Sequence, residues 1–292
     1  MKNYSGSCHK AHCLEVHALN WRIVMEDTNK TDVLEFCDAV DSVDAPNTVG
    51  ALEAVFAKIP ELRTVERRNE NSWREVKSYV LRGQRLKPSQ IEALDKHFYD
   101  YALVHSMEKL DFKKVFGNGN PVVIEIGFGM GESTARIARE NPNINYLGIE
   151  VFLYGFSKLL SVIANEGLSN VRIMRFDAVQ VLEDMIEDES VSGFHIFFPD
   201  PWPKKRHHKK RLVQLPFTTL LASKLKKGGY IYCVTDWEDY AKQMLSVLES
   251  TPGMSNPYYG YAPARPWRPE TSFERKGLEK SYTINEVWVE KV

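Results

Sequence analysis

Asp200 lies between two prolines in Phe197-Phe198-Pro199-Asp200-Pro201-Trp202-Pro203, and eight consecutive basic or imidazole residues follow, Lys204 to Arg211. One carboxylate thus stands at the mouth of a cationic run, in a segment leaving the carboxyl end of a strand, which is where an open α/β sheet binds a ligand. Prolines fix φ and remove backbone donors, so this segment leaves a strand as a stiff loop. Charge runs are most often solvated faces. A solvated face has no need of Phe-Phe-Pro-Asp-Pro-Trp-Pro ahead of it, which favours the chemical reading.

Four more acids recur at matching places. Glu125 lies inside the β-prone run Pro121–Ile126, two residues before Gly127-Phe128-Gly129-Met130-Gly131. Glu150 ends the run Tyr146–Ile149, Asp177 follows Val171–Phe176, and Asp236 follows Tyr230–Val234. A glycine turn between strand and helix lets backbone amides approach a nucleotide-like ligand. Glu150, about 20 residues past the glycines, is placed to accept ribose hydroxyls; the structural alternative is a helix N-terminal acid. Asp177 can accept from an adenine amine and also cap a helix. Two details argue against a dinucleotide. The glycines do not follow GxGxxG, so the third is not expected to serve helix packing in the usual way. Glu125 costs desolvation unless it meets a donor or a cation, which an amino-acid cofactor supplies as an ammonium and a pyrophosphate does not.

The elements that position these groups alternate. Helices are predicted over Glu132–Glu140, Leu153–Asn165, Val179–Glu187, Gln214–Leu225 and Tyr240–Leu248, with Gly228-Gly229 stopping the fourth. Such alternation implies an α/β fold, a doubly wound and mostly parallel sheet with all the acids on one carboxyl edge. Tyr282–Glu290 alternates apolar and polar residues and is expected to add an antiparallel C-terminal strand.

The first 72 residues read differently, as an acidic helical extension ahead of a catalytic domain over 73–292. Val33, Phe36, Cys37 and Val40, then Leu52, Val55, Phe56 and Ile59, fall at helical spacing. Between Glu26 and Glu53 there are eight acids and one lysine, so the extension reads as a solvated ornament or as an electrostatic lid over the cationic loop. Cys8, His9, His12, Cys13 and His17 cluster without a recognisable zinc spacing, and no metal is expected. Ser89 is expected to cap a helix from Gln90.

The 292-residue chain carries 38 basic and 39 acidic residues, so global charge selects no partner. No apolar run approaches the roughly 18 residues of a membrane span, the N-terminus is polar, and four cysteines make no disulfide scaffold. A cytoplasmic protein without membrane association is expected.

Ile124–Glu150, Phe197–Arg211, Thr235-Asp236-Trp237 and Arg268-Pro-Glu-Thr-Ser-Phe-Glu274 resemble the bacterial tRNA (guanine-N7-)-methyltransferase family over about residues 77–292. The Phe-Phe-Pro-Asp-Pro-Trp element is highly specific to it; the glycine turn is not. The resemblance implies a class I S-adenosylmethionine-dependent methyltransferase fold, Rossmann-like, acting on a guanine in the tRNA variable loop, as monomer or homodimer. It implies cofactor contacts from Glu125, Gly127, Gly129, Glu150, Asp177 and Asp200, with Asp200 catalytic. Substrate binding is implied for Lys204, Asp236, Thr271, Ser272, Phe273 and Glu274. Ser272 departs from the family's lysine, and residues 275–280 depart from its Arg-Gly-rich run. Lys204 to Arg211 are expected to hold phosphates while Trp202, Trp237 or Phe273 offers a stacking face. The alternatives are a nicotinamide-dependent oxidoreductase on a similar sheet and a non-catalytic RNA-binding relative.

Overall fold

The computed structural model describes residues 45–66, 77–80 and 85–292. The cysteine–histidine cluster at 8–17 and the apolar stripe at 33–40 lie outside them.

Helix α1 (Ala45–Lys58) carries the predicted stripe and ends where Pro60 opens a 3-10 turn, Pro60–Arg63. Helix α2 (Pro88–Tyr101) starts one residue before the expected Ser89 cap. Pro88 presets the first turn, and the Lys87 N–H donates to the Gln90 side chain at 2.8 Å. There follow β1 (Ala102–Leu103), α3 (Phe112–Phe116), β2 (Val122–Ile126), α4 (Glu132–Glu140), β3 (Asn145–Ile149) and α5 (Leu153–Glu166). The second half comprises β4 (Val171–Met174), α6 (Ala178–Met185), β5 (Val191–Phe197), α7 (Leu215–Lys224), β6 (Leu225–Thr235) and α8 (Glu238–Glu249). The chain closes with β7 (Met254–Ser255), α9 (Ser272–Glu279) and β8 (Asn285–Lys291).

The strands form one eight-stranded sheet in the order β1-β4-β3-β2-β5-β6-β8-β7, and only β8 opposes its neighbours. The α/β class and the antiparallel C-terminal strand match the expectation. Every residue of β2 and β3 is buried, as strands covered on both faces require. Val122, Ile124 and Ile126 join the apolar layer under α6, α7 and α8, while Val123 joins the layer under α2, α4 and α5. By strand alternation Glu125 shares the Val123 face. No helix among the described residues is long and apolar enough to cross a membrane.

One expectation is corrected. No glycine stops α7: Leu225 is already extended, and Gly228 sits inside β6 at φ +75°, across from a register irregularity between Val191 and Gly193. Pro46–Val292 form one compact unit, which takes in the last part of the acidic segment. Val55, Ile59 and Leu62 are buried in one cluster with Leu86, Ile91, Leu94 and Phe98, so this part of the acidic segment is core and not ornament. The apolar stripe predicted there is covered by α2.

Leu62 is 1% exposed, so Leu62→Ala should cost about 2–5 kcal/mol in denaturant unfolding. A loss below about 0.5 kcal/mol, the size of a surface substitution, would return 46–66 to the status of an appendage.

Candidate active site

Because β4, β3, β2, β5 and β6 are parallel neighbours, their carboxyl ends stand side by side. In that order the edge presents Asp177, Glu150, Glu125 with Gly127, Asp200 and Asp236. The glycine turn is held from two directions. The Gly127 N–H donates to the Ile149 carbonyl and the Gly129 N–H to the Glu150 carboxylate, both at 2.8 Å. Glu150 also accepts from the Val151 and Phe152 N–H groups at 2.8 and 3.0 Å. A methyl group added to Gly127 or Gly129 would meet nothing within 4 Å, so the turn faces open space on its ligand side, and both adopt positive φ.

On its other side the turn is crowded. A Cβ on Gly155 of α5 would lie 1.9 Å from the Gly129 carbonyl oxygen, and one on Gly148 would lie 2.7 Å from the Phe128 ring. Neither glycine was singled out from sequence, although a glycine inside a strand or helix signals close approach. Gly131 is a further correction. It takes the N-cap position of α4 at φ +71°, and a Cβ there would strike Leu159 at 2.6 Å, so the third glycine does serve helix packing.

The acids differ in environment. Glu125 is 3% exposed, and burial, with the Glu150 charge adding, pushes its carboxyl up to about 7. Burial also raises Glu150; its three N–H donors oppose this and the nearby Asp200 carboxylate reinforces it. Asp177 caps α6, accepting from the Val179 and Gln180 N–H groups at 2.9 and 3.3 Å, and its own N–H donates to the Val65 carbonyl. The segment Leu62–Val65 is thus tied to the edge of the site, and Arg175 adds a hydrogen bond to the Leu62 carbonyl.

The loop after β5 bends sharply at two bulky residues, Phe198 at φ +50° and Trp202 at φ +46°. Such conformations cost roughly 1–3 kcal/mol each and persist only where the surroundings impose them. The Phe198 N–H donates to the Val234 carbonyl at 2.8 Å, and the Trp202 indole donates to the Ser78 carbonyl at 3.3 Å. Arg211 is the main anchor. It donates to the Pro201 carbonyl (2.8 Å), Gln243 (2.6 Å) and Asp239 (2.6 Å), and its guanidinium lies over the Tyr240 ring. At 2% exposure Arg211 is not available to phosphates, which corrects the expected extent of the cationic clamp. Lys204, Lys205, Arg206 and Lys209 are exposed, the last three in the 3-10 helix Lys205–Lys210. Trp202 carries the Lys210 ammonium 4.8 Å from its ring centre, and Trp237 packs against the core.

Asp236 meets α9. A Cβ on Gly277 would lie 3.0 Å from the Asp236 carboxylate. The hydroxyl of Thr271 accepts from the Glu274 N–H at 3.0 Å, and Arg268 donates to both Glu274 oxygens at 2.5 and 3.0 Å. Arg268 further engages Glu286 at 2.8 Å and the Tyr232 hydroxyl at 3.1 Å. Thr271 and Glu274 are therefore engaged in fixing α9, Ser272 is half-buried, and Phe273 is exposed. Arg268 opens the Arg268–Glu274 motif, and its type and position along the chain do not show this role.

A family model described as a putative methyltransferase matches residues 119–287. The tRNA (guanine-N(7)-)-methyltransferase of Bordetella pertussis is 47% identical over 72% of this chain and 82% of its own length. That of Neisseria meningitidis is 46% identical over 76% of this chain and 95% of its own. That of Dechloromonas aromatica is 47% identical over 73% and 86%. Identity of this order, with a family-model match that spans the glycine turn, the Asp200 loop and α9, means that this chain belongs to the tRNA (guanine-N(7)-)-methyltransferase family.

Proposed function

We propose that this chain transfers a methyl group from S-adenosylmethionine to N7 of a guanine in the tRNA variable loop, giving 7-methylguanosine. The observation that carries the reading is the placement of Asp200. Its carboxylate is close enough to raise Glu150, the acid that grips the glycine turn, and the exposed cations begin four residues further along the same loop. Donor site and polyanion clamp are therefore neighbours. The oxidoreductase alternative gives that loop no task and is not favoured by the family.

The residues fit the cofactor. Glu125 is a buried carboxylate whose ionised form needs a cation, and the methionyl ammonium is one. A carboxylate has about four acceptor sites, and Glu150 uses three on backbone N–H groups, which leaves one for a ribose hydroxyl. Asp177, just past the carboxyl end of β4, is the acid this reading gives to the adenine amine. The cofactor supplies an electrophilic methyl group on a sulfonium.

Guanine N7 carries a free lone pair at neutral pH, so the step needs no strong base. In-line positioning lowers the barrier by several kcal/mol. The ring becomes cationic as the bond forms, and a fixed carboxylate stabilises that charge more in the transition state than before it. Asp200 takes this role by charge and hydrogen bonding. Helical RNA hides the N7 edge in a deep, narrow groove, so the target belongs in a loop.

Three measurements test the reading. Labelled S-adenosylmethionine with unmodified tRNA should give 7-methylguanosine on nucleoside analysis, and Asp200→Ala should cut turnover about a hundredfold or more while cofactor affinity stays within about threefold. An unchanged rate would remove Asp200 from the mechanism. If Lys204, Lys205, Arg206 and Lys209 meet phosphates, log affinity for tRNA should fall with log salt at a slope of roughly −3; a flat response excludes the cationic turn. The third is pH. Glu125 titrates near 7 when folded against an ordinary 4.5, so its contribution to stability without cofactor is complete below about 4.5 and is lost as pH rises through 7. Cofactor binding selects the ionised form. Affinity should therefore strengthen from pH 6 to 8, and Glu125→Gln should abolish that trend; a trend unaltered by the substitution would rule out Glu125 as the ammonium's partner.

A further inference from the structure

Two aromatic rings pair between the Asp200 loop and α9: Phe198, whose inner side packs against the core, and Phe273. Phe198 directly follows β5, two residues before Asp200, and Phe273 lies on the first turn of α9. Their rings are nearly parallel, 19° apart, with centroids separated by 6.5 Å. Among the described residues the tightest parallel pairs, His105 with Phe176 and Tyr230 with Trp288, close to 4.0 Å. Carbon atoms in contact lie about 3.5–4.0 Å apart, so a planar base between two rings sets them about 7 Å from each other.

Neither wall is there by default. Phe198 adopts φ +50°, a conformation that bulky residues avoid and that points to a functional constraint when observed. Phe273 is 59% exposed although it is a large apolar residue on a capped helix. Its position is set from behind by the Arg268–Glu274 ion pair and by the seat of Gly277 on Asp236.

We propose that Phe198 and Phe273 are the two walls of a slot that takes the target guanine face to face, with Asp200 and Asp236 at its ends. This rests on the guanine reading above and adds how the base is held. Phe198 is the fixed inner wall, rooted in the sheet. Phe273 is the outer wall, carried by α9, and Arg268 is a positioning residue that acts through Glu274. Every base has a π-face, so the slot provides grip and in-line placement, while the cationic turn provides most of the tRNA affinity.

The test compares Phe273→Leu, Phe273→Trp, Phe198→Leu and the Phe198→Leu/Phe273→Leu double variant as full chains with unmodified tRNA. Stacking on one side is worth about tenfold. Phe273→Leu should lower kcat/KM for tRNA by about that factor, Phe273→Trp should retain it within about threefold, and cofactor affinity and the salt slope should stay as in the wild type. Both walls grip one base, so the double variant should lose less than the product of the two single losses. Wild-type kcat/KM in Phe273→Leu overturns the slot, because leucine keeps apolar bulk and lacks the aromatic face. Losses in the double variant that multiply fully also overturn it. Phe273 is exposed, so its variants report even if Phe198→Leu fails to fold. A wild-type chain that forms no 7-methylguanosine would instead sink the functional reading itself.

Discussion

A backbone approach that only glycine permits holds the cofactor side together. The Gly129 carbonyl rests where any side chain on Gly155 would have to go, and from the other direction the Glu150 carboxylate takes the Gly129 N–H. With both ends of that peptide region held, the turn faces the ligand with open space and ordered donors. Hydrogen-bond donors set in place before binding cost no reorganisation when the ligand arrives. The same pinning puts Glu150 next to Glu125, and their mutual repulsion adds to the burial that raises Glu125. Packing of α5 and the charge balance of the site are thus one problem.

The loop carrying Asp200 solves a different one. It must be stiff, must leave the sheet abruptly, and must end in cations that face solvent. Prolines and two left-handed residues give the bend, and Arg211 closes it with a fan of hydrogen bonds to Pro201, Asp239 and Gln243. A buried guanidinium left without partners would be costly, so the loop and α8 are locked to each other. Arg211 is spent on architecture, while Lys204, Lys205, Arg206 and Lys209 remain exposed.

The C-terminal part shows the same economy. Arg268 gathers Glu274, Glu286 and Tyr232 from α9, β8 and β6. Removing one partner of such a buried cluster strands a charge and is strongly destabilising, so the cluster acts as a single fastener between the antiparallel strand and the helix beside Asp236. The N-terminal segment is fastened too, through the Val65 carbonyl on Asp177 and the Ser78 carbonyl on Trp202. Each catalytic-edge loop is thereby supported by a part of the chain remote in sequence.

Alternation of apolar runs with helical spacing was enough to place five acids on one edge, since parallel strands with helical crossovers leave no other arrangement. The residue types at that edge also pointed to a cationic donor and an anionic partner, because a carboxylate beside a glycine turn and a Pro-bound acid beside lysines have few other uses. Which members of a motif face the ligand was not legible. Thr271 and Glu274 are held by a cap and an arginine, and Arg211 turns inward because the loop needs an anchor. The apolar stripe of α1 looked like part of an acidic ornament until α2 covered it. Spacing along the chain sets which face a residue shares, but the partner it meets there comes from another part of the chain, and only tertiary contact decides whether a polar group is spent inside the protein or offered outside.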